Sequence, residues 1–209
     1  MVMETLYTQN NINELKNKGY TFIDNVLPIE QAKHLFNLFT QEKEWNHIEQ
    51  IREHHYEHVF QSSNPTLPQP GECYIAKFSR SISLSHDQTL QKIYHQYITP
   101  LVKKVSPFEL TQFDIKCHKQ DIGDNFRVHM DDYAGSINSI LYLNQEWKWD
   151  WGGILHVLSN EDEEQIESIF PKFNRLVLLN NKVFRAPHFI NTVENFAKNP
   201  RYSIVSFNT

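Results

Sequence analysis

The chain of 209 residues has few of the residues that build disulfide frameworks and phosphate-binding loops. Its two cysteines, Cys73 and Cys117, lie far apart in sequence, which favours reduced packing residues over a disulfide framework. The six glycines form neither a dinucleotide fingerprint nor a P-loop, and Gly-x-Ser-x-Gly and His-Glu-x-x-His motifs do not occur. Nucleotide-binding loops, serine hydrolase elbows and zincin sites are therefore not expected.

The sequence also lacks an excess of positive charge and a long apolar run. Twenty Lys and Arg against 25 Asp and Glu give a formal charge of −5, which disfavours a surface that neutralises nucleic-acid phosphates. Residues 1–19 are acidic and amide-bearing where a signal peptide would be basic and then apolar. Because no run approaches the length of a membrane span, we predict a cytoplasmic protein that binds neither nucleic acid nor membrane.

The first half of the chain shows helical spacing of apolar residues. Pro28 is suited to the first turn of a helix, and Pro100 is expected to end a later one. Between them lies a polar, proline-bearing stretch that predicts a long irregular excursion, of the kind that often carries specificity. The pattern predicts helices over residues 10–18, 29–39 and 87–98, a strand over 20–24, and the excursion over 45–73.

After about residue 107 the pattern changes to short apolar or alternating runs separated by turn residues. These runs are ELTQFDIKC, SINSILYLN, GILHVLS, RLVLLNN, HFINTV and RYSIVSF. Their number and spacing predict a sandwich, a barrel or a jelly roll behind a helical layer. We therefore expect one mostly β, α+β domain over residues 1–209, with a helical N-terminal layer at about 1–106 and a β core at about 107–209.

A histidine followed two residues later by a carboxylate occurs three times, at residues 47–49, 55–57 and 129–131. The first two lie in a run of alternating charges and histidines, which is typical of a solvated face. His129 and Asp131 lie between β runs instead, where the two-residue period of an extended backbone puts both side chains on one side. The context therefore favours this third pair as metal ligands.

A third ligand and an anion-binding pair follow later in the chain. His188 begins a predicted strand 59 residues after His129. Two imidazoles and one carboxylate leave three coordination positions open, the arrangement associated with non-heme Fe(II) oxygenases. Arg201 and Ser203 share one side of the last strand, where a guanidinium fork and a hydroxyl could hold the far end of a dicarboxylate.

These motifs, in this order, resemble the Fe(II)/2-oxoglutarate-dependent dioxygenases, specifically the prolyl 4-hydroxylase-like branch. The flanking stretches SILYLNQEWKWDWGGILHV, FPKFNRLVLLNN and YTFIDNVLPIEQAKHLF are also similar to that branch. The resemblance implies a double-stranded β-helix core, jelly-roll or cupin-like, with N-terminal helices packed against it. It further implies that His129, Asp131 and His188 are the catalytic Fe(II) ligands, and that Arg201 and Ser203 bind the cosubstrate 2-oxoglutarate.

The resemblance also bears on the reaction. It implies that O2 and 2-oxoglutarate are consumed to hydroxylate an unactivated C–H bond, with release of succinate and CO2; desaturation or ring closure would use the same ligands. Asp131 stands where the halogenating branch has a small residue, and Phe207 stands where nucleic-acid demethylases have a second arginine. The stretch IKCHKQDIG lacks the tyrosine that relatives often place against 2-oxoglutarate.

The substrate stays open between two classes, and a third hypothesis dispenses with catalysis. A free amino acid or small metabolite is favoured by the compact chain, and a peptide or protein side chain is the alternative. A non-catalytic jelly-roll binding domain is the third hypothesis. Candidate substrate-binding residues are Arg127, which lies two residues before His129, Arg185, and Trp151, although a tryptophan in a dense hairpin more often packs in a core.

Overall fold

A computed structural model describes residues 7–52, 73–129, 131, 137–158, 165–181 and 187–209. The helices are α1 (Gln9–Asn17), α2 (Ile29–Gln41), α3 (Ile82–Ser85), α4 (Gln88–Ile93) and α5 (Thr99–Val105), with a π-helical turn at Tyr94–Ile98 and a 3-10 turn at Trp149–Trp151. The first strands are β1 (Tyr20–Asp24), β2 (Asn46–Arg52), β3 (Cys73–Ser81), β4 (Phe113–Gln120) and β5 (Asn125–His129). The later strands are β6 (Ile137–Tyr142), β7 (Leu155–Leu158), β8 (Ile166–Ile169), β9 (Arg175–Asn180), β10 (His188–Ile190) and β11 (Arg201–Asn208).

All strand pairs are antiparallel and form one curled sheet in the order β1-β9-β6-β11-β4-β3-β5-β10-β7-β8, with β2 paired to β3. The sheet turns at β3, because residues 79–81 pair with β4 while residues 76–77 pair with β5. The two halves of the sheet thereby come to face each other. This mostly β architecture with a few helices confirms the predicted fold class and matches a double-stranded β-helix core.

Strand β11 shows how the sheet separates its two faces. Tyr202 and Ile204 lie on the outer face and pack into the largest apolar core, which the helices cover. Arg201 and Ser203 lie on the inner face and line a cavity enclosed by the curl. Both faces of β11 are largely buried. Because side chains alternate along a strand, each residue of β11 either packs in the apolar core or faces the cavity.

The helices confirm the predicted spacing of buried apolar residues, with one exception at Pro100. In α2, Ala32, Leu35 and Phe39 are buried as the pattern predicts. The prediction that the third helix ends near Pro100 is wrong, because helical structure continues to Val105. Proline removes a backbone donor. A π-helical turn precedes it, with Thr99 N–H donating to Tyr94 O, and this shift of bonding accommodates the proline.

Four of the described strands were not predicted, namely β2, β3, β5 and β8. β2 occupies the start of the stretch expected to be irregular, and it is polar because it pairs only with β3 at the margin of the sheet. In it, His47 is half exposed and lies 3.6 Å from Glu49, as expected for a solvated pair. The histidines at positions 54, 55 and 58 lie outside the described residues.

Cys117 belongs to the outer-face core and is fully buried. Burial raises the pKa of its thiol to about 12, so the residue packs as a small apolar side chain. Among the described residues, no helix is both long enough and apolar enough to span a bilayer.

Candidate active site

A cavity of about 60 Å³ lies inside the curl of the sheet. Its lining comes from β4, β5, β6, β9, β10 and β11, together with Asp131 just after β5. His129, Asp131, His188, Arg201 and Ser203 all contribute to this lining. The structure therefore brings the five residues that the motifs singled out to one cavity.

His129 and His188 are direct cross-strand partners at the adjoining ends of β5 and β10. Their ring centroids lie 4.4 Å apart. Nε2 of His129 lies 3.6 Å from Asp131 Oδ1, and Nε2 of His188 lies 3.5 Å from Asp131 Oδ2. One ligand atom from each residue falls within 4.8 Å of the others, and no other such group of three His, Cys, Asp or Glu side chains occurs in the described part of the chain.

Hydrogen bonds orient two of these side chains. Nδ1 of His129 lies 2.7 Å from the Arg127 carbonyl oxygen, which can only accept, so Nδ1 carries the proton and Nε2 keeps its lone pair. Asn138 Nδ2 donates to Asp131 Oδ2 at 2.7 Å. Burial would raise the pKa of Asp131, but His188, His129 and the Asn138 bond outweigh burial and hold that pKa below its ordinary value. The carboxylate is therefore ionised at neutral pH.

The donor set fits Fe(II). Neighbouring ligand atoms of an octahedral ion with bonds of about 2.1 Å lie about 3 Å apart, close to the separations in this cluster. Two nitrogen donors and one oxygen donor converge from a single side, so an ion held there keeps open positions towards the cavity.

Arg201 supplies an uncompensated positive charge to the same cavity. Its side chain is 2% exposed, and its Nη1 donates to Gln120 Oε1 at 2.5 Å. Its Nε and Nη2 are buried with no hydrogen-bond partner, and no Asp or Glu of the described chain pairs with it. Its Cζ lies 4.7 Å from the centroid of the Tyr142 ring. Burial lowers the pKa of Arg201, but a guanidinium remains charged at neutral pH. Its charge therefore favours the binding of an anion in the cavity.

In the glycine pair of the tryptophan-rich hairpin, Gly153 makes room for this arginine and Gly152 makes room for the Thr192 backbone. A Cβ atom on Gly153 would lie 2.8 Å from Arg201 Cδ, and one on Gly152 would lie 1.9 Å from the Thr192 carbonyl oxygen. Both glycines also have positive φ, which other residues rarely adopt. The close approach of backbone to arginine was not predictable from the glycine spacing alone.

Several further polar residues at the cavity were not singled out from the sequence. Gln120 and His118 occupy the inner face of β4 directly opposite Arg201 and Ser203. Burial, followed by the charges of Arg80, Arg201 and Lys116, holds the pKa of His118 well below its ordinary value. The ring is therefore neutral, and its Nε2 accepts from Arg80 Nε at 3.3 Å. Alternation within β4, once paired with β11, is the signal that could have found both residues.

Two of the candidate substrate residues, Arg127 and Trp151, do not line the cavity. Arg127 is exposed, because β5 has one extra residue between its pairings: Phe126 pairs with Ile190 and His129 with His188. This bulge turns Phe126 inward and Arg127 outward, contrary to simple two-residue alternation. Trp151 is buried in a separate apolar cluster with Trp147, Ile154 and Val193. Arg185 lies outside the described residues.

Comparisons with known proteins agree with this architecture. Residues 115–208 match the model of the 2OG-Fe(II) oxygenase superfamily. No curated protein sequence matches the chain. A Pseudomonas putida prolyl-4-hydroxylase structure is similar with a TM-score of 0.68 and 16% identity, covering 95% of this chain and 96% of that one.

Two further solved structures share the fold. One is a prolyl hydroxylase from Trichoplax adhaerens in complex with a hypoxia inducible factor peptide fragment, with a TM-score of 0.67, 18% identity and coverage of 99% and 95% of the two chains. The other is HygX from Streptomyces hygroscopicus with nickel and 2-oxoglutarate bound, with a TM-score of 0.62, 9% identity and coverage of 96% and 86%. The predicted resemblance to the prolyl 4-hydroxylase-like branch is confirmed, because residues 115–208 match the 2OG-Fe(II) oxygenase superfamily and the solved prolyl hydroxylases share the fold. Members of that superfamily use Fe(II), 2-oxoglutarate and O2, and the His-Asp-His cluster of this chain fits such a metal.

Proposed function

We propose that this oxygenase hydroxylates an unactivated C–H bond of a free amino acid or another small metabolite. His129, Asp131 and His188 bind Fe(II), and Arg201 with Ser203 holds the distal carboxylate of 2-oxoglutarate. The observation that carries this proposal is the presence, in one cavity, of the His-Asp-His cluster and a buried arginine without an anionic partner in the described chain.

The bound groups and the protein residues have different roles in this proposal. Fe(II), 2-oxoglutarate and O2 supply the oxidising power, with succinate and CO2 as the products of the cosubstrate. The protein orients the His129 imidazole through the Arg127 carbonyl and the Asp131 carboxylate through the Asn138 amide. The apolar inner-face residues Ile140, Leu179 and Val205 exclude water from the space between the metal ligands and the arginine.

The test is an anaerobic titration of 2-oxoglutarate into Fe(II)-loaded protein, followed by the metal-to-ligand charge-transfer absorption. Wild type is expected to develop the band. His129→Ala should lose it because a metal ligand is missing, and Arg201→Ala should need much higher 2-oxoglutarate concentrations because the anchor is missing. A folded, iron-loaded wild type without the band would contradict the proposal and favour the non-catalytic binding domain.

The substrate class needs a separate assay. Succinate release is measured with a panel of free amino acids and with a panel of peptides, each at the same concentration. Turnover with an amino acid and none with peptides supports the small-metabolite proposal. The alternative, a peptide or protein side chain, is favoured by the fold shared with a prolyl hydroxylase that binds a peptide, and turnover with peptides alone would establish it. A cytoplasmic location without nucleic-acid or membrane partners remains a prediction from composition.

A further inference from the structure

Gln120 hydrogen-bonds to Arg201, whose guanidinium also lies beside the Tyr142 hydroxyl. The two residues are cross-strand partners in β4 and β11, and Gln120 is 1% exposed. Its Oε1 accepts from Arg201 Nη1 at 2.5 Å, and the residue lines the cavity that also holds the metal-ligand cluster. Gln120 lies in the stretch IKCHKQDIG, which lacks the tyrosine of relatives, and its position opposite Arg201 is evident only once the strands are paired.

The orientation of the Gln120 amide follows from hydrogen-bond chemistry. A guanidinium only donates hydrogen bonds, so the amide atom that faces Arg201 must be the carbonyl oxygen. The amide nitrogen is then not used by the guanidinium, and this Nε2 is buried without a partner in the described chain. Buried donors without partners are rare in folded proteins, and a group of them beside a cavity points to a missing acceptor.

Three unpaired donors therefore belong to two residues that line the same cavity, namely Arg201 Nε, Arg201 Nη2 and Gln120 Nε2. A carboxylate has two oxygens with about four acceptor positions, enough to accept from all three. We propose that Gln120 is a second arm of the 2-oxoglutarate anchor: it positions the Arg201 guanidinium and donates to the same distal carboxylate. This inference rests on the proposed function, and it assigns a role that the Arg-x-Ser motif does not contain.

The neutrality of the glutamine is central to this role. A glutamate at position 120 would have nearly the same shape and could still accept from Arg201. Its charge would pair with the guanidinium, which would then have less attraction for an incoming carboxylate. A glutamine fixes Arg201 while leaving its charge for the ligand.

The experiment compares two 2-oxo acids that differ at their far ends. Both 2-oxoglutarate and 2-oxobutanoate can chelate a metal, but only the former has a distal carboxylate. Dissociation constants are measured anaerobically, by calorimetry and by charge-transfer absorption, on Fe(II)-loaded wild type, Gln120→Met and Gln120→Glu. Cys117→Ala is the matched control, since it changes the same strand on the opposite, outer face.

The expected result is a selective loss. Gln120→Met should weaken 2-oxoglutarate binding by about tenfold or more, the usual effect of losing a hydrogen bond to a charged group, and leave 2-oxobutanoate within about twofold. Gln120→Glu should weaken 2-oxoglutarate by about 100-fold and raise the melting temperature of the ligand-free protein, because a buried ion pair replaces an isolated buried cation. Cys117→Ala should leave the ratio of the two constants unchanged.

Equal weakening of both ligands in Gln120→Met, or no change in either, would overturn the inference while leaving the proposed function intact. If Gln120→Met does not fold, Gln120→Glu decides alone: a wild-type preference for 2-oxoglutarate over 2-oxobutanoate in that variant overturns the inference. Wild type that binds no 2-oxoglutarate overturns the proposed function itself, and the inference with it.

Discussion

The two faces of the curled sheet differ in how many of their buried polar groups have hydrogen-bond partners. On the outer face these groups are mostly paired: the Tyr94 hydroxyl lies 2.7 Å from Ser139 Oγ, and the Ser206 hydroxyl donates to Asn208 Oδ1. Six buried side-chain nitrogen or oxygen atoms in the described chain have no partner, and five of them belong to inner-face residues. Those five are Gln120 Nε2, Asn138 Oδ1, Tyr142 Oη, Arg201 Nε and Arg201 Nη2.

This difference in hydrogen bonding indicates that the outer face contributes to stability and the inner face to binding. Protein interiors normally satisfy their buried polar groups, because an unmade hydrogen bond costs free energy. The outer face follows that rule and contributes packing with the helices. The inner face departs from it around the cavity, where a ligand would supply the missing partners. Four substitutions test this division, from the largest expected effect to the smallest.

Asp131→Ala should have the largest effect, and that effect should fall on turnover. Loss of the single carboxylate from the proposed metal site is expected to reduce succinate production more than about 100-fold, since even residues that only support metal ligands give losses of 10- to 100-fold. Circular dichroism should show an unchanged fold. The control is Asp114→Ala, an exposed carboxylate paired with Lys116. Unchanged turnover in Asp131→Ala would reject the ligand assignment.

Ile204→Ala should show the opposite behaviour. Ile204 is fully buried on the outer face, and its truncation leaves a cavity in the main core. The expected loss in free energy of unfolding is about 2–5 kcal/mol, measured by urea denaturation. The dissociation constant for 2-oxoglutarate, measured well below the unfolding transition, should not change. A large change in that constant would mean that the two faces are not separate.

Ser203→Ala sharpens the comparison, because it changes the residue next to Ile204 on the inner face. The loss of one hydroxyl donor should weaken 2-oxoglutarate binding by about 1 kcal/mol, or roughly fivefold, and change the free energy of unfolding by less than that. Calorimetric titration and urea denaturation of the same sample give both numbers. A stability loss as large as that of Ile204→Ala would assign Ser203 to packing instead.

Asp24→Asn should have the smallest effect. Asp24 is part-exposed and belongs neither to the outer-face core nor to the cavity. Asp24 joins β1 to β9 through bonds from Arg175 Nε at 2.6 Å and Lys172 Nζ at 2.8 Å. Burial would raise the pKa of Asp24, but these two cations hold it below its ordinary value. The pair therefore stabilises the fold above the unfolded-state pKa, which is about 4, by about 1 kcal/mol or less.

This stabilisation is lost as the pH falls through the lower, folded-state pKa of Asp24. The difference in unfolding free energy between wild type and Asp24→Asn should be full at pH 7 and should shrink towards zero below about pH 4. Urea denaturation at several pH values measures it. A difference that persists undiminished in strong acid would mean that packing, rather than charge, accounts for the effect.

The sequence alone predicted those features that depend only on neighbouring residues. His129 with Asp131, and Arg201 with Ser203, stand two residues apart, so extended backbone alone predicts that each pair shares a side. Helix α2 was predicted from its apolar spacing for the same reason. His188 was proposed because it begins a late predicted strand that the fold could return to the same site, since nothing local links it to a position 59 residues earlier.

The residues that were missed depend on register and on irregularity. Gln120 matters because it pairs with Arg201, 81 residues later, and a single sequence does not specify which strands become neighbours. The outward turn of Arg127 follows from a bulge in β5, which shifts the alternation by one residue. The continuation of the helix past Pro100 required a change to π-helical bonding that apolar spacing cannot reveal.

The pairing of His129 with His188 has a consequence for folding. An ion bound by both would bridge two points 59 residues apart and would act as a reversible cross-link that closes a long loop. Such a link favours the folded state by mass action, adding about 1.4 kcal/mol for each tenfold excess of free metal over its dissociation constant. Iron supply would then govern not only how fast the enzyme works but also how much of it survives in the cell.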